Sequence, residues 1–300
     1  MYFPSLGYCL LVAELFSFIR GKLPASSRNL VLSLVIGLCS IYSIRTWNRN
    51  YDWRDTEVAF AAAERLYPDN MRVVYFRINQ EVERAKSPQE LEKILEETSR
   101  ALAIYPEYVA MINRHADILY KLKRYEDALH YYDRCFEASR SQAPKPCYFN
   151  KATIYELLGK KPEAMREYFQ GLSLYGKNKE ANFNYAALLM SENQDYAEAI
   201  RLLEKAKKNG YSAIRCDLKI AEALIALKKF SQALDRLKDH ASPAAPASAQ
   251  LLWLSALAHE GLGDAKSTKF FLEKLLKNLD DQDPTNAAYR NKAISKLQML

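Results

Sequence analysis

Four asparagines, Asn79, Asn113, Asn150 and Asn184, follow one another at separations of 34, 37 and 34 residues, each within a stretch of helical apolar spacing. An asparagine side chain carries both a donor and an acceptor. A row of them along one face could therefore hold the backbone of an extended peptide whatever its sequence. The alternative is that asparagine is simply common at this place of a repeating unit. The five cysteines, at 9, 39, 135, 147 and 216, form no C-x-x-C pair and have no histidine at ligand spacing, so no zinc site is indicated. Cys135 and Cys147 flank a predicted turn, where they could approach each other and form a disulfide in an oxidising compartment. His115, His130, His240 and His259 fall on separate predicted helices with no Ser or Cys nucleophile arrangement beside them, and read as packing or surface residues.

Charge excludes another class of partner. The 300 residues carry a formal net charge of +7, but Lys, Arg, Asp and Glu are interspersed along nearly every predicted helix. No basic block, zinc finger, basic zipper or aromatic RNA-reading stretch is present, so nucleic acid is not an expected partner.

The elements that must position these residues are helices. Tyr125-Glu126-Asp127-Ala128, Lys161-Pro162-Glu163-Ala164, Tyr196-Ala197-Glu198-Ala199 and Phe230-Ser231-Gln232-Ala233 place their alanines 36, 35 and 34 residues apart, and each opens an amphipathic helix. A unit of this length cannot bury its apolar face alone and must stack on its neighbours as a solenoid. Each alanine is followed four residues later by a large apolar side chain and three after that by a small one: Tyr132 and Cys135, Tyr168 and Gly171, Leu203 and Ala206. That is the grammar of the second helix of a tetratricopeptide repeat (TPR), where small residues let two helices cross closely. A looser copy carries Ala101 and Pro106, and Phe60, Ala63 and Pro68 form half a repeat. Short turns at Lys123-Arg124, Gly159-Lys160, Asn193-Gln194, Lys228-Lys229 and Gly263-Asp264 separate the paired helices, with Thr268 where a last alanine is expected. Residues 242–246 read as a loop between the last two repeats, and residues 286–297 as a capping helix.

The start of the chain is written for a different solvent. Residues 2–19 and 30–44 are apolar runs joined by a short loop, residues 20–28, that holds Arg20, Lys22 and Arg28 and no acid. The second run must extend through Arg45 to Trp47 to reach the about 17 to 20 residues that a membrane span needs. Two spans are expected, with buried soluble helices as the rival; the basic loop would face the cytosol and the repeats the opposite side. Glu14 would need a protein partner or water inside a membrane. No Asn-x-Ser/Thr sequon is present. The expected fold class is all-α, a TPR-type α-solenoid preceded by two transmembrane helices. Residues 1–47 hold the membrane segments, 48–69 a junction with a half repeat, 70–284 a solenoid of about six repeats and 285–300 the capping helix.

Tyr2-Phe3-Pro4-Ser5-Leu6-Gly7 near the start, and Trp53-Arg54-Asp55 directly before the repeats, resemble the join between membrane region and repeats in one family. That family is the transmembrane and tetratricopeptide-repeat (TMTC) protein O-mannosyltransferases. The resemblance implies an endoplasmic reticulum membrane location with lumenal repeats, dolichyl phosphate mannose as sugar donor, and Ser or Thr of secretory or cell-surface proteins, cadherins among them, as acceptors. The family's catalytic acids lie in an early lumenal loop that has no counterpart in this sequence, so no catalytic residue, metal or cofactor is assigned here. Asp52, Asp55 and Glu57 fall at the entry to the repeats and are expected to be first-turn acids favoured by the helix dipole. The chain is thus expected to supply the acceptor-recognising, carboxy-terminal part of such an enzyme, with a protein or peptide in its groove. The alternative is a non-enzymatic, membrane-anchored TPR scaffold.

Overall fold

The computed structural model describes residues 13–14, 17–18, 21, 24–52, 54–139, 143–240, 248–279 and 284–299. Most of the expected span at 2–19, with Cys9, Trp53 and the loop at 242–246, lies outside them. Among the described residues there are fifteen α-helices, and they fall into two compact units, residues 1–83 and 84–300.

The first unit holds α1 (Ala25–Asp52), α2 (Thr56–Leu66) and nearly all of α3 (Met71–Arg84). Asp55 is the N-cap of α2: its side chain accepts from Val58 N–H at 2.8 Å, and Glu57 follows in the first turn. Asp52 differs from expectation, since it is the last residue of α1 and has no place in the first turn of α2. Phe60 of α2 stacks on Phe76 of α3 with ring centroids 3.8 Å apart, and Arg77 of α3 pairs with Glu64 of α2 at 3.1 Å. Along α1 the apolar side chains stand open: Leu34, Ile36, Leu38, Ile41, Tyr42, Ile44 and Trp47 are all more than half exposed. Even so, among the described residues no helix is long and apolar enough to cross a membrane.

The second unit is the solenoid. After α4 (Pro88–Ile104), the helices pair as α5 (Val109–Lys121) with α6 (Tyr125–Ala138), and α7 (Lys145–Leu157) with α8 (Lys161–Leu174). The next pairs are α9 (Lys179–Leu188) with α10 (Tyr196–Lys208), α11 (Ala213–Ala226) with α12 (Phe230–Lys238), and α13 (Ala249–Gly261) with α14 (Ala265–Asn278). These are repeats two to six, counting α3 and α4 as repeat one in sequence. The capping helix is α15 (Pro284–Leu297), whose Ala293 is fully buried and whose Tyr289 meets Trp253 of α13. Each helix packs on the next in sequence, and first helices also pack on first helices, α5 on α7 and α11 on α13.

Burial follows the repeat grammar. Ala128, Ala164, Ala199, Ala233 and Thr268 are fully buried, and so are the small residues of the preceding helices, Ala116, Ala152, Ala186, Ala221 and Ala256. Five residues before each of the five second-helix positions comes one left-handed residue: Lys123, Gly159, Gln194, Lys228 and Gly263. It reverses the chain and lets the next N–H reach back five residues. Arg124 N–H donates to Leu119 O at 2.9 Å, Lys160 to Tyr155 at 2.8 Å, Lys229 to Leu224 at 2.8 Å and Asp264 to His259 at 3.0 Å. Repeat four is wider by one residue. Ala186 and Ala199 are 13 apart where the other pairs are 12 apart, and the surplus residue is absorbed by a π turn at Leu189–Asn193.

Gly171 shows why the third small position must be small: a Cβ there would lie 2.7 Å from Phe149 Cε1 and 2.8 Å from Tyr148 Cβ of α7. The second of those atoms is anchored to backbone and cannot swing away. Gly171→Ala should therefore destabilise the protein by about 1–3 kcal/mol despite the better helix propensity of alanine. An unchanged urea midpoint would refute this.

Candidate functional site

The buried alanines give a better ruler for the asparagines than the asparagines themselves. Asn150 and Asn184 each lie two residues before the small residue of their first helix, Ala152 and Ala186, whereas Asn113 lies three before Ala116. One residue on a helix is a turn of about 100°, so Asn113 points differently from the other two. The 37-residue gap between Asn113 and Asn150 is a repeat of 36 plus this one-residue shift.

Asn150 and Asn184 consequently make the same contact. Asn150 Nδ2 donates to Tyr132 Oη at 2.9 Å and to Asp117 Oδ1 at 2.9 Å, and Tyr132 O–H donates to Asp117 at 2.6 Å. One repeat further, Asn184 Nδ2 donates to Tyr168 Oη at 3.2 Å, and Tyr168 O–H donates to Glu156 at 2.5 Å. The tyrosine and the acid belong to one repeat and the asparagine to the next, so each triad is a polar joint between repeats. Burial raises the carboxyls of Asp117 and Glu156 above the usual carboxylate range, and burial together with the adjacent acid raises both tyrosine hydroxyls. Beside the first joint, Lys151 of α7 binds Asp133 of α6 at 2.6 Å and Glu167 of α8 at 3.3 Å; burial opposes its charge, yet the two acids hold its pKa above the ordinary value.

Asn113 is buried at the other end of the same seam: its Nδ2 reaches Asp117 Oδ2 at 3.2 Å and its Oδ1 lies 3.4 Å from Cys147 Sγ. Asn79, in the first unit, is half-buried, and its Oδ1 is enclosed without a hydrogen-bond partner. The structure thus brings Asn113 and Asn150 together around Asp117 and gives Asn184 an equivalent joint.

The joint is missing between repeats four and five. Leu203 stands where Tyr132 and Tyr168 stand, and Lys219, two residues before Ala221, takes the place of Asn150 and Asn184. With no hydroxyl to bind, Lys219 pairs with Glu222 on its own helix at 2.9 Å, and a cavity of about 210 Å³ stays open there. Ala187, Met190, Tyr196 and Ala226 share its lining with the polar Ser191, Lys219 and Glu222. The volume is below the roughly 300–1,000 Å³ typical of small-molecule sites and has room for one inserted side chain. The interval from asparagine to asparagine hides Lys219, whereas its distance from Ala221 in the sequence would have found it.

The histidines are structural or on the surface. His115 Nδ1 lies 2.7 Å from Thr98 Oγ1 in the core, and its ring packs on Tyr131 at 4.0 Å. His130 is exposed, and His259 lies 3.2 Å from Asp264. His240 Nε2 lies 2.8 Å from the buried Asp217, which also binds Lys207 at 2.7 Å and ties α10, α11 and the end of α12 together. Burial alone would raise the Asp217 carboxyl, but Lys207 and His240 hold it below the usual carboxylate range. Among the described residues no group of three or more His, Cys, Asp or Glu side chains gathers to hold a metal.

Residues 109–142 match the family described as tetratricopeptide repeat. The chain carries a tetratricopeptide repeat. A curated relative, Protein O-mannosyl-transferase Tmtc1 of Drosophila melanogaster, is 37% identical over 70 residues, which is 23% of this chain and 8% of the relative. Among solved structures, YrrB, described as a TPR protein with an unusual peptide-binding site, aligns over 66% of this chain and 99% of its own at a TM-score of 0.57 and 16% identity. PilF of Pseudomonas aeruginosa aligns over 74% and 97% at a TM-score of 0.55 and 14% identity. At such identities the two structures establish the all-α TPR solenoid fold and nothing about ligands.

Two measurements probe the site. Tyr132→Phe removes a donor from a carboxylate that is mostly enclosed and should cost about 1–2 kcal/mol, with a comparable loss for Tyr168→Phe; full retention of the denaturant midpoint would remove the joints from the stability argument. His115 is a pH-sensitive point. Burial, with Arg124 and Arg134 nearby, lowers its pKa from 6.5 to about 4, against a smaller opposing effect of Asp127. Because the folded value is the lower one, its stabilising effect is complete above pH 6.5 and is lost as pH falls towards 4. Between neutral pH and about pH 4.5 that loss amounts to roughly 2–3 kcal/mol. His115→Gln should flatten this part of the stability profile, and parallel profiles for the two proteins would contradict the assignment.

Proposed function

We propose that this chain is the acceptor-recognising part of a membrane-bound, dolichyl-phosphate-mannose-dependent protein O-mannosyltransferase, with its repeats in the lumen of the endoplasmic reticulum. The repeat array holds an extended segment of a secretory or cell-surface protein, and mannose transfer to Ser or Thr is carried out elsewhere in the enzyme. The observation that carries the binding role is the open cavity between repeats four and five, at the register where the junctions of repeats two with three and three with four are closed. An apolar side chain of the acceptor would enter it, flanked by Lys219 and Glu222. Of the groove candidates Asn79, Asn113, Asn150 and Asn184, the last three would stiffen the repeat junctions beside the bound segment, through the hydrogen bonds they make there, and Asn79 is left to the first unit. The enzyme class is supported by the Tyr2-to-Gly7 and Trp53-Arg54-Asp55 resemblance and by the partial likeness to the Drosophila protein, of which this chain spans only 8%.

Membrane attachment is supported by α1. Large apolar side chains left open to water favour a non-aqueous surrounding, and the exposed side chains of α1 include Leu34, Ile36, Ile41 and Ile44. In this reading lipid or neighbouring membrane helices cover them, with Tyr42 and Trp47 towards the interface.

Two experiments test the proposal. With the full chain in detergent, an unfolded cadherin extracellular domain should bind, and Lys219→Ala or a cavity-filling Ala187→Phe should weaken binding on the order of tenfold, about 1.4 kcal/mol. Undiminished binding by a folded Ala187→Phe protein would remove the cavity from the reading. In microsomes the repeats should resist added protease until detergent is present, whereas digestion from the cytosolic side would favour the non-enzymatic scaffold.

A further inference from the structure

Near the end of α6 and in the first turn of α7, Cys135 and Cys147 are both fully buried, and their sulfurs lie 2.8 Å apart. A disulfide needs about 2.05 Å, so little movement separates the two states. Both thiols point into one enclosure against α5: Cys147 Sγ lies 3.4 Å from Asn113 Oδ1 and Cys135 Sγ 3.9 Å from Val109 O. No third metal ligand joins them among the described residues, which leaves thiol–disulfide chemistry as the use for two facing thiols.

We propose that Cys135 and Cys147 form a disulfide that staples α6 to α7 across the junction of repeats two and three. The oxidant is a disulfide, either glutathione disulfide or the active-site disulfide of a protein oxidoreductase. The Cys135 thiolate attacks one of its sulfurs, the oxidant's sulfur–sulfur bond breaks, and a first thiolate leaves. Cys147, deprotonated, then attacks the Cys135 sulfur of the mixed disulfide, the protein bond forms, and the second thiolate leaves. Two electrons pass to the oxidant, and the two thiol protons end on its two sulfurs. The order of the two thiols is interchangeable, because each sulfur lies within reach of the other once the first has formed the mixed disulfide.

The staple would sit where the polar joint already is. Asn113, which faces Cys147, also holds Asp117, the acid shared by Tyr132 and Asn150. Closing the 12-residue interval between the cysteines would fix the first of the two closed junctions and leave the junction at the Lys219 cavity as it is.

The test uses the full purified chain and is independent of the side of a membrane on which the repeats lie. The chain is equilibrated in a buffer of reduced and oxidised glutathione under conditions that allow reversible opening, alkylated, and digested without reduction. Mass spectrometry should recover a peptide pair joining Cys135 to Cys147, two hydrogens lighter than the separate peptides, with Cys39 and Cys216 alkylated. Adding a reductant should lower the folding equilibrium constant on the order of a hundredfold, the change expected for a closed loop of about this length. In the Cys135→Ser, Cys147→Ser double variant the sensitivity to reductant should vanish, whatever that variant's absolute stability. Recovery of both cysteines alkylated, or joined to other cysteines, would overturn the proposal, as would equal reductant sensitivity in the variant.

Discussion

Everything in the solenoid depends on the crossing of two helices at a pair of small residues. Ala116 with Ala128, Ala152 with Ala164, Ala186 with Ala199, Ala221 with Ala233 and Ala256 with Thr268 are all inaccessible to solvent. A larger side chain at such a point would push the helices apart, because a core at crystal-like density has no slack to absorb it. The pair therefore sets the axial register of each repeat, and through the register it decides which side chains of one repeat meet the next. Even the irregularities obey it: the residue added in repeat four is displaced into a π turn, where it disturbs neither alanine. The cost of that solution is a wider reversal, with Asp195 N–H reaching back to Leu189 O at 3.3 Å where other repeats close tighter.

This explains what was legible in the sequence. The alanines, the large residue four positions on and the left-handed turn residues are local signals, each fixed by sterics within one helical hairpin. Helix pairs and reversing residues stand where those local signals put them. Asp55 was legible for the same reason, since an N-cap needs only the N–H three residues ahead. Asp52 was not, because where α1 ends depends on its continuation to residue 52 rather than on the acid itself.

The site was half legible. Asn150 and Asn184 stand out as a repeating residue type, but what they do is set by Tyr132, Tyr168 and Asp117 on other helices, which no spacing between asparagines reveals. Asn113 shared the residue type and not the register. Lys219 shared the register and not the type, so a search by residue type passes over it. The Asp217 cluster is hidden more deeply: its partners Lys207 and His240 come from different helices, and only folding brings the three together. Buried ion pairs of this kind are a tertiary property, and their net worth depends on desolvation as much as attraction.

The same contrast between closed and open junctions argues for where a partner would act. Seating a carboxylic acid in a joint has a desolvation cost, visible in the raised acids Asp117 and Glu156, that is offset by the tyrosine hydroxyl in both joints and, at Asp117, by Asn150 as well. Such a joint is all or nothing, and a ligand inserted there would have to break it. At the junction of repeats four and five the buried acid, Asp217, is already held by Lys207 and His240 away from the cavity lining, while Leu203 is apolar and Lys219 is paired with Glu222. A side chain entering that cavity displaces no internal hydrogen-bond network and gains apolar contact with Met190, Tyr196 and Ala226. The free-energy balance thus favours the open junction as the point of entry, and favours the two closed junctions as the stiff segment against which an extended chain can be held.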